Sequence, residues 1–340
     1  MKRSVVDSFV FMGLLTGCPA FAGDIDASWV TVGDAGNPAD SGSGAGDVAY
    51  DFRIGTFEVT NAEYAAFLNA KAALGNPLNL YSPSMTSDPR GGILRTGAGS
   101  IADPFVYTPK PNMANKPVNQ VSWYDGIRFA NWLHNGQGDG DTESGAYTLM
   151  GGTPVPANPN AIVRNPDALV WIPNNDEWHK AALYEPGASG NGYWNFATRS
   201  DAIPTIAQAN AMGDISNPGA NVVNYFGGAD WNGLNGNVTT VGSAGPLSAS
   251  FYGTFDMNGN VFEWTEDLII HPQFGAMRAR RGGSWVEDWN VFFGGGFGSA
   301  TPTLETFSFG LRVASVVPEP ATGMLLVLAL AAVKLRRQPK

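Results

Sequence analysis

Apolar positions recur along this chain with two periods, and the longer one marks three helices. In "TNAEYAAFLNA", Tyr64, Phe67 and Leu68 share one face of a 3.6-residue repeat. Thr60 followed by Glu63 is a capping box, in which each side chain satisfies an orphan amide of the first turn. "SWYDGIRFANWLH" repeats the pattern, with Ser122 as N-cap. Trp123, Ile127, Ala130 and Trp132 or Leu133 line one side, and the helix ends near His134. "NNDEWHKAALY" predicts a third helix, capped by Asn174 or Asn175, with Trp178, Ala182 and Leu183 facing inward. Alternation with period two appears in "YDFRIGTFEVT", where Phe52, Ile54, Phe57 and Val59 are core candidates. An entry strand is expected within residues 23–50, and short strands in "ALVW", "RARRGGSWVED" and "FSFGLRVAS". Residues 75–118 read as a long irregular insertion and 135–160 as loop. The stretch from 185 to about 250 is rich in Gly and Asn with few periodic signals. No linker and no fixed-period repeat divides the chain.

Composition sharpens this picture. The 340 residues include 43 Gly and 23 Pro, and only 15% are charged, which predicts a loop-rich globule held by aromatic packing rather than a helical bundle. Ten tryptophans argue against disorder. The formal charge of −10 excludes nucleic acid as a natural partner, because that requires a basic face.

Both ends read as addresses. Lys2 and Arg3 precede the apolar "FVFMGLL" and then "AFA", the pattern of a signal peptide over residues 1–22 cleaved after Ala22. "LTGC" offers a rival cut, with Cys18 as a lipidated residue. At the other end "VPEPATGMLLVLALAAVKLRRQPK" puts a Pro-Glu-Pro triplet before a short apolar run and a basic cluster. Residues 318–340 resemble the PEP-CTERM sorting signal of exported Gram-negative proteins, which implies an exosortase as partner; a plain C-terminal membrane anchor is the alternative. Without residues 1–22 and 318–340 the chain loses six basic and two acidic residues, and its formal charge moves to −14. Cys18 is the only cysteine, so the segment 23–317 has no thiol for metal binding, redox work or nucleophilic attack.

"YGTFDMNGNVFEWTED" raises the main chemical question. Glu263 is wedged between Phe262 and Trp264, and a buried carboxylate needs a partner. Backbone amides, Arg281 or Arg312 are candidates, and so is a metal ion. The histidines, His134, His179 and His271, are scattered without metal-ligand spacing. No Gly-x-Ser-x-Gly elbow, P-loop or Rossmann fingerprint appears.

Four segments, "IGTFEVTNAEYAAFL", "PVNQVSWYDGIRFANWL", "FDMNGNVFEWTED" and "RRGGSW…FGLRVA", with "WIPNNDEWHKAA" between them, together resemble the sulfatase-modifying-factor family. This is the formylglycine-generating-enzyme-like domain, and the resemblance spans roughly residues 27–315. It implies an α+β fold related to C-type lectins, with bound calcium. Carried over by position, Glu263, Asn258, Gly259 and Val261 would hold one calcium ion through oxygen ligands. Asn221, Val222, Asn235 and Asn237 would form a second and weaker site, because the family's aspartate near position 235 is Asn here; Asp230 lies close enough to compensate.

The same resemblance exposes a departure. Formylglycine-generating enzymes hold copper(I) with two cysteines after the Gly-Gly-Ser-aromatic motif, and the matching positions here are Glu287 and Phe292. Neither supplies a thiolate for a soft ion. No copper is therefore expected, and no formylglycine-generating oxidase activity. Relatives that use iron draw three histidines from a partner domain. Glu287 and Asp288 are an acidic pair that would serve a cysteine-independent enzyme of the family acting on an exported protein or metabolite. The favoured reading of the pair is a solvated acidic rim, since paired acids on surface loops are common. The favoured expectation is a noncatalytic, calcium-stabilised protein of the envelope or exopolysaccharide matrix. Trp285 and Trp289 would stack on a sugar or peptide ligand, or else belong to the core.

Overall fold

The computed structural model describes residues 25, 27–188 and 191–318. The predicted signal segment 1–22 and the tail from residue 319 lie outside the described residues.

Local sequence signals account for the first elements. After β1 (Trp29–Val32) and β2 (Phe52–Gly55), Thr60 caps α1 (Asn61–Lys71) with the reciprocal Glu63 bond in place. Tyr64, Phe67 and Leu68 are fully buried on its inner face. The region 75–118 corrects the expectation of an irregular insertion. It holds a one-turn helix α2 (Ser84–Ser87) and an antiparallel hairpin, β3 (Ile93–Thr96) with β4 (Val106–Pro109). These strands are too short to show a period, and they form because Tyr107 is buried where β4 packs on α1 and Ile93 where β3 packs on α2. Helix α3 (Trp123–His134) starts at a second capping box, Ser122 with Asp125. Burial pushes the Asp125 carboxyl up to about 7. Ser122→Ala should cost about 1–2 kcal/mol in a denaturant melt, since it removes an N-cap and one partner of a buried acid.

Strand β5 (Val170–Trp171) leads into α4 (Asn175–Leu183), whose cap is Asn174 rather than Asn175. The Gly/Asn-rich stretch contributes two minimal strands, β6 (Thr205–Ile206) and β7 (Val222–Val223). The longest pairing follows: β8 (Phe262–His271) and β9 (Gly275–Arg281) form an antiparallel ladder with a register shift between Trp264 and Leu268. His271 closes β8 instead of lying in a loop, and its Nδ1 accepts the turn amides of Gln273 and Phe274. The last strands among the described residues are β10 (Phe297–Ala300), β11 (Phe309–Gly310) and β12 (Ala314–Val316).

Two four-stranded sheets organise the molecule, in orders β1-β2-β12-β5 and β10-β9-β8-β11. The main core draws on both sheets and on α1, α3 and α4, and is rich in rings such as Tyr64, Phe67, Phe129 and Trp132, spaced 5.2–5.9 Å apart. Few long elements and many ordered loops leave four arginines, Arg128, Arg278, Arg281 and Arg312, inside the protein.

Candidate functional site

The turn before β8 is built from residues that tolerate the left-handed region. Asp256, Gly259 and Asn260 have φ of 57°, 77° and 56°. At Gly259 a Cβ would lie 2.2 Å from the Asn224 carbonyl oxygen, so only glycine fits. The Asn260 side chain ties the turn down, accepting from the Thr239 amide (2.9 Å) and donating to Glu58 Oε2 (2.8 Å). The Val261 amide donates to the other oxygen of Glu58.

Glu263 then points into the core. Its carboxylate accepts from Arg312 Nε (3.0 Å to each oxygen), from Arg312 Nη2 (2.7 Å) and from the Trp178 indole (2.7 Å). Arg312 spends its remaining donors on the carbonyls of Gly55 and Phe255. Burial works against the arginine's charge, but the Glu263 carboxylate beside it holds its pKa above the ordinary value. Two further acids surround this pair. Burial, together with the charges of Asp256 and Glu263, pushes Glu58 well above its ordinary range, and burial pushes Asp256 up to about 6. Sequence reasoning missed Glu58. The signal was its place in "FEVTN", an acid between two apolar residues.

This arrangement does not suit a calcium ion on Glu263. The only carboxylate of the donor set is saturated by a guanidinium and an indole, and an ion would have to displace a buried cation. Asn258 Oδ1, another of the expected ligands, accepts the Ala197 amide at 2.7 Å. Part of the second donor set is also engaged within the protein. Asn221 Oδ1 accepts from Thr198 Oγ1 (2.6 Å), and the Asn237 carbonyl accepts from Asn224 Nδ2 (2.9 Å). The Asn235 carbonyl takes a hydrogen bond from Arg90 Nη2 (2.9 Å), and Val222 follows in β7 with its amide on Ser248 Oγ. Asp230 is bound to the Gly236 amide. Among the described residues no three His, Cys, Asp or Glu side chains gather as a metal-holding group.

The Gly-Gly-Ser-Trp segment lies against the same turn, with the Gly259 amide on the Gly282 carbonyl (2.8 Å) and the Trp285 amide on the Asn260 carbonyl (2.9 Å). Gly282 and Gly283 have φ of 88° and 72°, and a Cβ on Gly283 would press on the Phe292 ring at 2.7 Å. Phe292 itself is fully buried, 5.3 Å from the Tyr225 ring and 6.0 Å from that of Phe196. Glu287 folds back onto its own turn, accepting from Ser284 Oγ (2.5 Å) and the Ser284 amide (3.1 Å). Asp288 caps the following single turn at the Trp289 amide. Both acids therefore serve local backbone and hydroxyl groups.

The two tryptophans differ. Trp285 is buried, with the Arg90 guanidinium 4.7 Å above its ring and Phe307 at 5.6 Å. Trp289 is half-buried, 6.1 Å from Phe293, which is 48% exposed. Phe226 joins this rim. It is 62% exposed at φ 55°, and its amide donates to the Glu287 carbonyl. A bulky residue held left-handed and facing solvent is uncommon. No pattern in "NYFGG" marked it.

The histidines stay apart. His134 Nδ1 accepts the Leu169 amide. His179 is buried, with Nε2 near Asp40 Oδ2 (3.1 Å) and Ser43 Oγ (3.3 Å). Burial and Arg281 lower its pKa to about 4.

Residues 34–317 match the family model described as the sulfatase-modifying factor enzyme 1-like domain, and residues 316–338 match the PEP-CTERM protein-sorting motif. Among curated proteins the chain is similar to the chaperone protein LppX of Paenibacillus barcinonensis, 26% identical over 186 residues, covering 52% of this chain and 61% of that protein. It is also similar to hercynine oxygenase of Mycolicibacterium smegmatis, 24% identical over 264 residues, covering 69% of this chain and 46% of the oxygenase. It thus spans less than two thirds of either relative. Among solved structures, CarF (TM-score 0.53, 22% identical) covers 86% of this chain over 99% of its own. Treponema denticola variable protein 1 (TM-score 0.52, 18% identical) covers 85% of this chain over 95% of its own. These likenesses agree with the α+β, C-type-lectin-related fold. No helix among the described residues is long and apolar enough to cross a membrane.

Proposed function

The chain belongs to the sulfatase-modifying factor enzyme 1-like family and carries a PEP-CTERM sorting motif, and from that premise we propose that it is an exported, noncatalytic binding domain of the Gram-negative envelope or extracellular matrix. One observation carries this reading. At the family's thiolate positions, Glu287 is folded onto Ser284 and Phe292 is a fully buried ring between Phe196 and Tyr225. A soft copper ion needs sulfur, and this chain has none outside residue 18 and its methionines. What the same end of the molecule offers instead is a rim of Phe226, Trp289 and Phe293, and rings that keep a free face suit stacking on sugars.

The reading is tested with purified protein and the extracellular polysaccharide of the producing bacterium. We expect retention of the protein on immobilised polysaccharide, and at least a tenfold weakening in the Phe226→Ala, Phe293→Ala double variant without change in melting temperature. We also expect no formylglycine when a cysteine peptide is incubated with the protein, copper(I) and oxygen. Formylglycine formation, or retention indifferent to both rings, overturns the reading.

A further inference from the structure

The register shift in β8 has a consequence at a cleft that shares no lining residue with the aromatic rim. In a regular strand successive side chains point to opposite faces. Here Glu266, Asp267 and Leu268 follow one another and all line one cleft of about 240 Å³. A bulge re-aims side chains in this way and is common beside functional sites.

The cleft's walls are of three kinds. Glu266 is fully engaged, bound by Arg164 and by the Tyr147 hydroxyl (2.5 Å). Arg278, 3% exposed, lies 3.7 Å over the Trp123 ring and donates only to carbonyls, those of Glu266, Pro159 and Ile162. Asp267 accepts through Oδ2 from the Asn175 amide and Thr265 Oγ1. Among the described residues neither Arg278 nor Asp267 forms an ion pair. Burial lowers the Arg278 pKa to about 10 and raises that of Asp267, as expected of opposite charges held in a cleft without direct partners. The lip is apolar, with Leu268 and the 71% exposed Val163.

We propose that this cleft binds a small zwitterion of the α-amino-acid class, its carboxylate on Arg278, its ammonium on Asp267 and an aliphatic side chain against Val163 and Leu268. A buried arginine without a counter-ion selects a carboxylate. The neighbouring acid would repel a simple anion, so the ligand has to carry a positive group as well. This site is separate from the aromatic rim and does not depend on the reading given above.

Calorimetric titration of the whole folded protein tests it with three probes: L-leucine, N-acetyl-L-leucine and L-leucinamide. Leucine should bind, with each blocked derivative at least tenfold weaker. Asp267→Asn keeps an acceptor for the Asn175 amide and removes the charge. It should not lower the melting temperature and should weaken leucine at least tenfold, while narrowing the gap between leucine and its N-acetyl derivative. Because Arg278 also holds the 159–162 loop, Arg278→Lys is read only alongside a melting curve. No binding of leucine to the wild-type protein, or equal binding of all three probes, overturns the proposal.

Discussion

Glu263→Ala is expected to destabilise the domain by about 3–5 kcal/mol, because it leaves Arg312 as a buried cation without its ion-pair partner. The loss extends beyond one pair. Arg312 also holds the carbonyls of Gly55 in β2 and Phe255 before the turn, and it is the cation that Glu58 and Asp256 face. Replacing Glu263 and Arg312 together by apolar residues should therefore be no milder than the single change, unlike isolated buried pairs that can be exchanged at little cost. Urea melts with calcium and with a chelator separate this arrangement from an ion on Glu263. We expect the wild-type midpoint to be the same in both. A midpoint raised by calcium, with the rise abolished in Glu263→Ala, would show that the carboxylate holds an ion in preference to Arg312.

Asp256→Asn is expected to do the opposite, stabilising the protein at pH 7–8 by about 1–2 kcal/mol. Burial raises the Asp256 carboxyl from 3.8 to about 6 in the folded protein. Between those values the native state holds a proton that the unfolded chain releases, so this contribution to stability is complete below about pH 4 and is lost as pH rises through 6. The full shift corresponds to about 3 kcal/mol, and the surface that Asp256 retains argues for the lower figure. Asparagine suits the site on two other counts. It tolerates the φ of 57°, and its oxygen can accept the Gly242 amide now bound by Asp256. Denaturant midpoints from pH 3.5 to 8 should show a gain for the variant that grows with pH and vanishes at the acid end. A variant less stable than wild type at pH 8 would sink the assignment.

What the sequence disclosed follows from how local each signal is. The three capping boxes each span four residues, so Thr60 and Ser122 start their helices as read, and Asn174 is one of the two caps the sequence offered for the third. The strand in "YDFRIGTFEVT" was legible because Phe52 and Ile54 alternate onto the core. Glu263 posed the right question, yet its answer lay 49 residues away, and nothing local favours Arg312 over Arg281. Arg281 turns to Asn175 and the Gly295 carbonyl instead. The β3–β4 hairpin was hidden because four-residue strands are stabilised by what covers them. The cleft beside Arg278 was hidden for a similar reason: a bulge is a property of pairing, and "WTEDL" alone shows no register. Trp285 and Trp289 are near neighbours in sequence, and only packing tells the covered ring from the half-open one.

The place of β12 has a kinetic meaning. This strand, residues 314–316, is interior to its sheet, paired with β2 on one side and β5 on the other. Chain threaded from its N-terminus reaches β2 early and must wait some 260 residues for the strand that completes the pairing. Closing so long a loop late is slow and leaves the sheet open until residues 314–316 have been made. Arg312, the partner of Glu263, arrives in the same stretch, and the sorting motif begins at residue 316. Final closure and the appearance of the sorting address are therefore nearly simultaneous, so a chain truncated before residue 312 would lack the central ion pair, the interior strand and the address together.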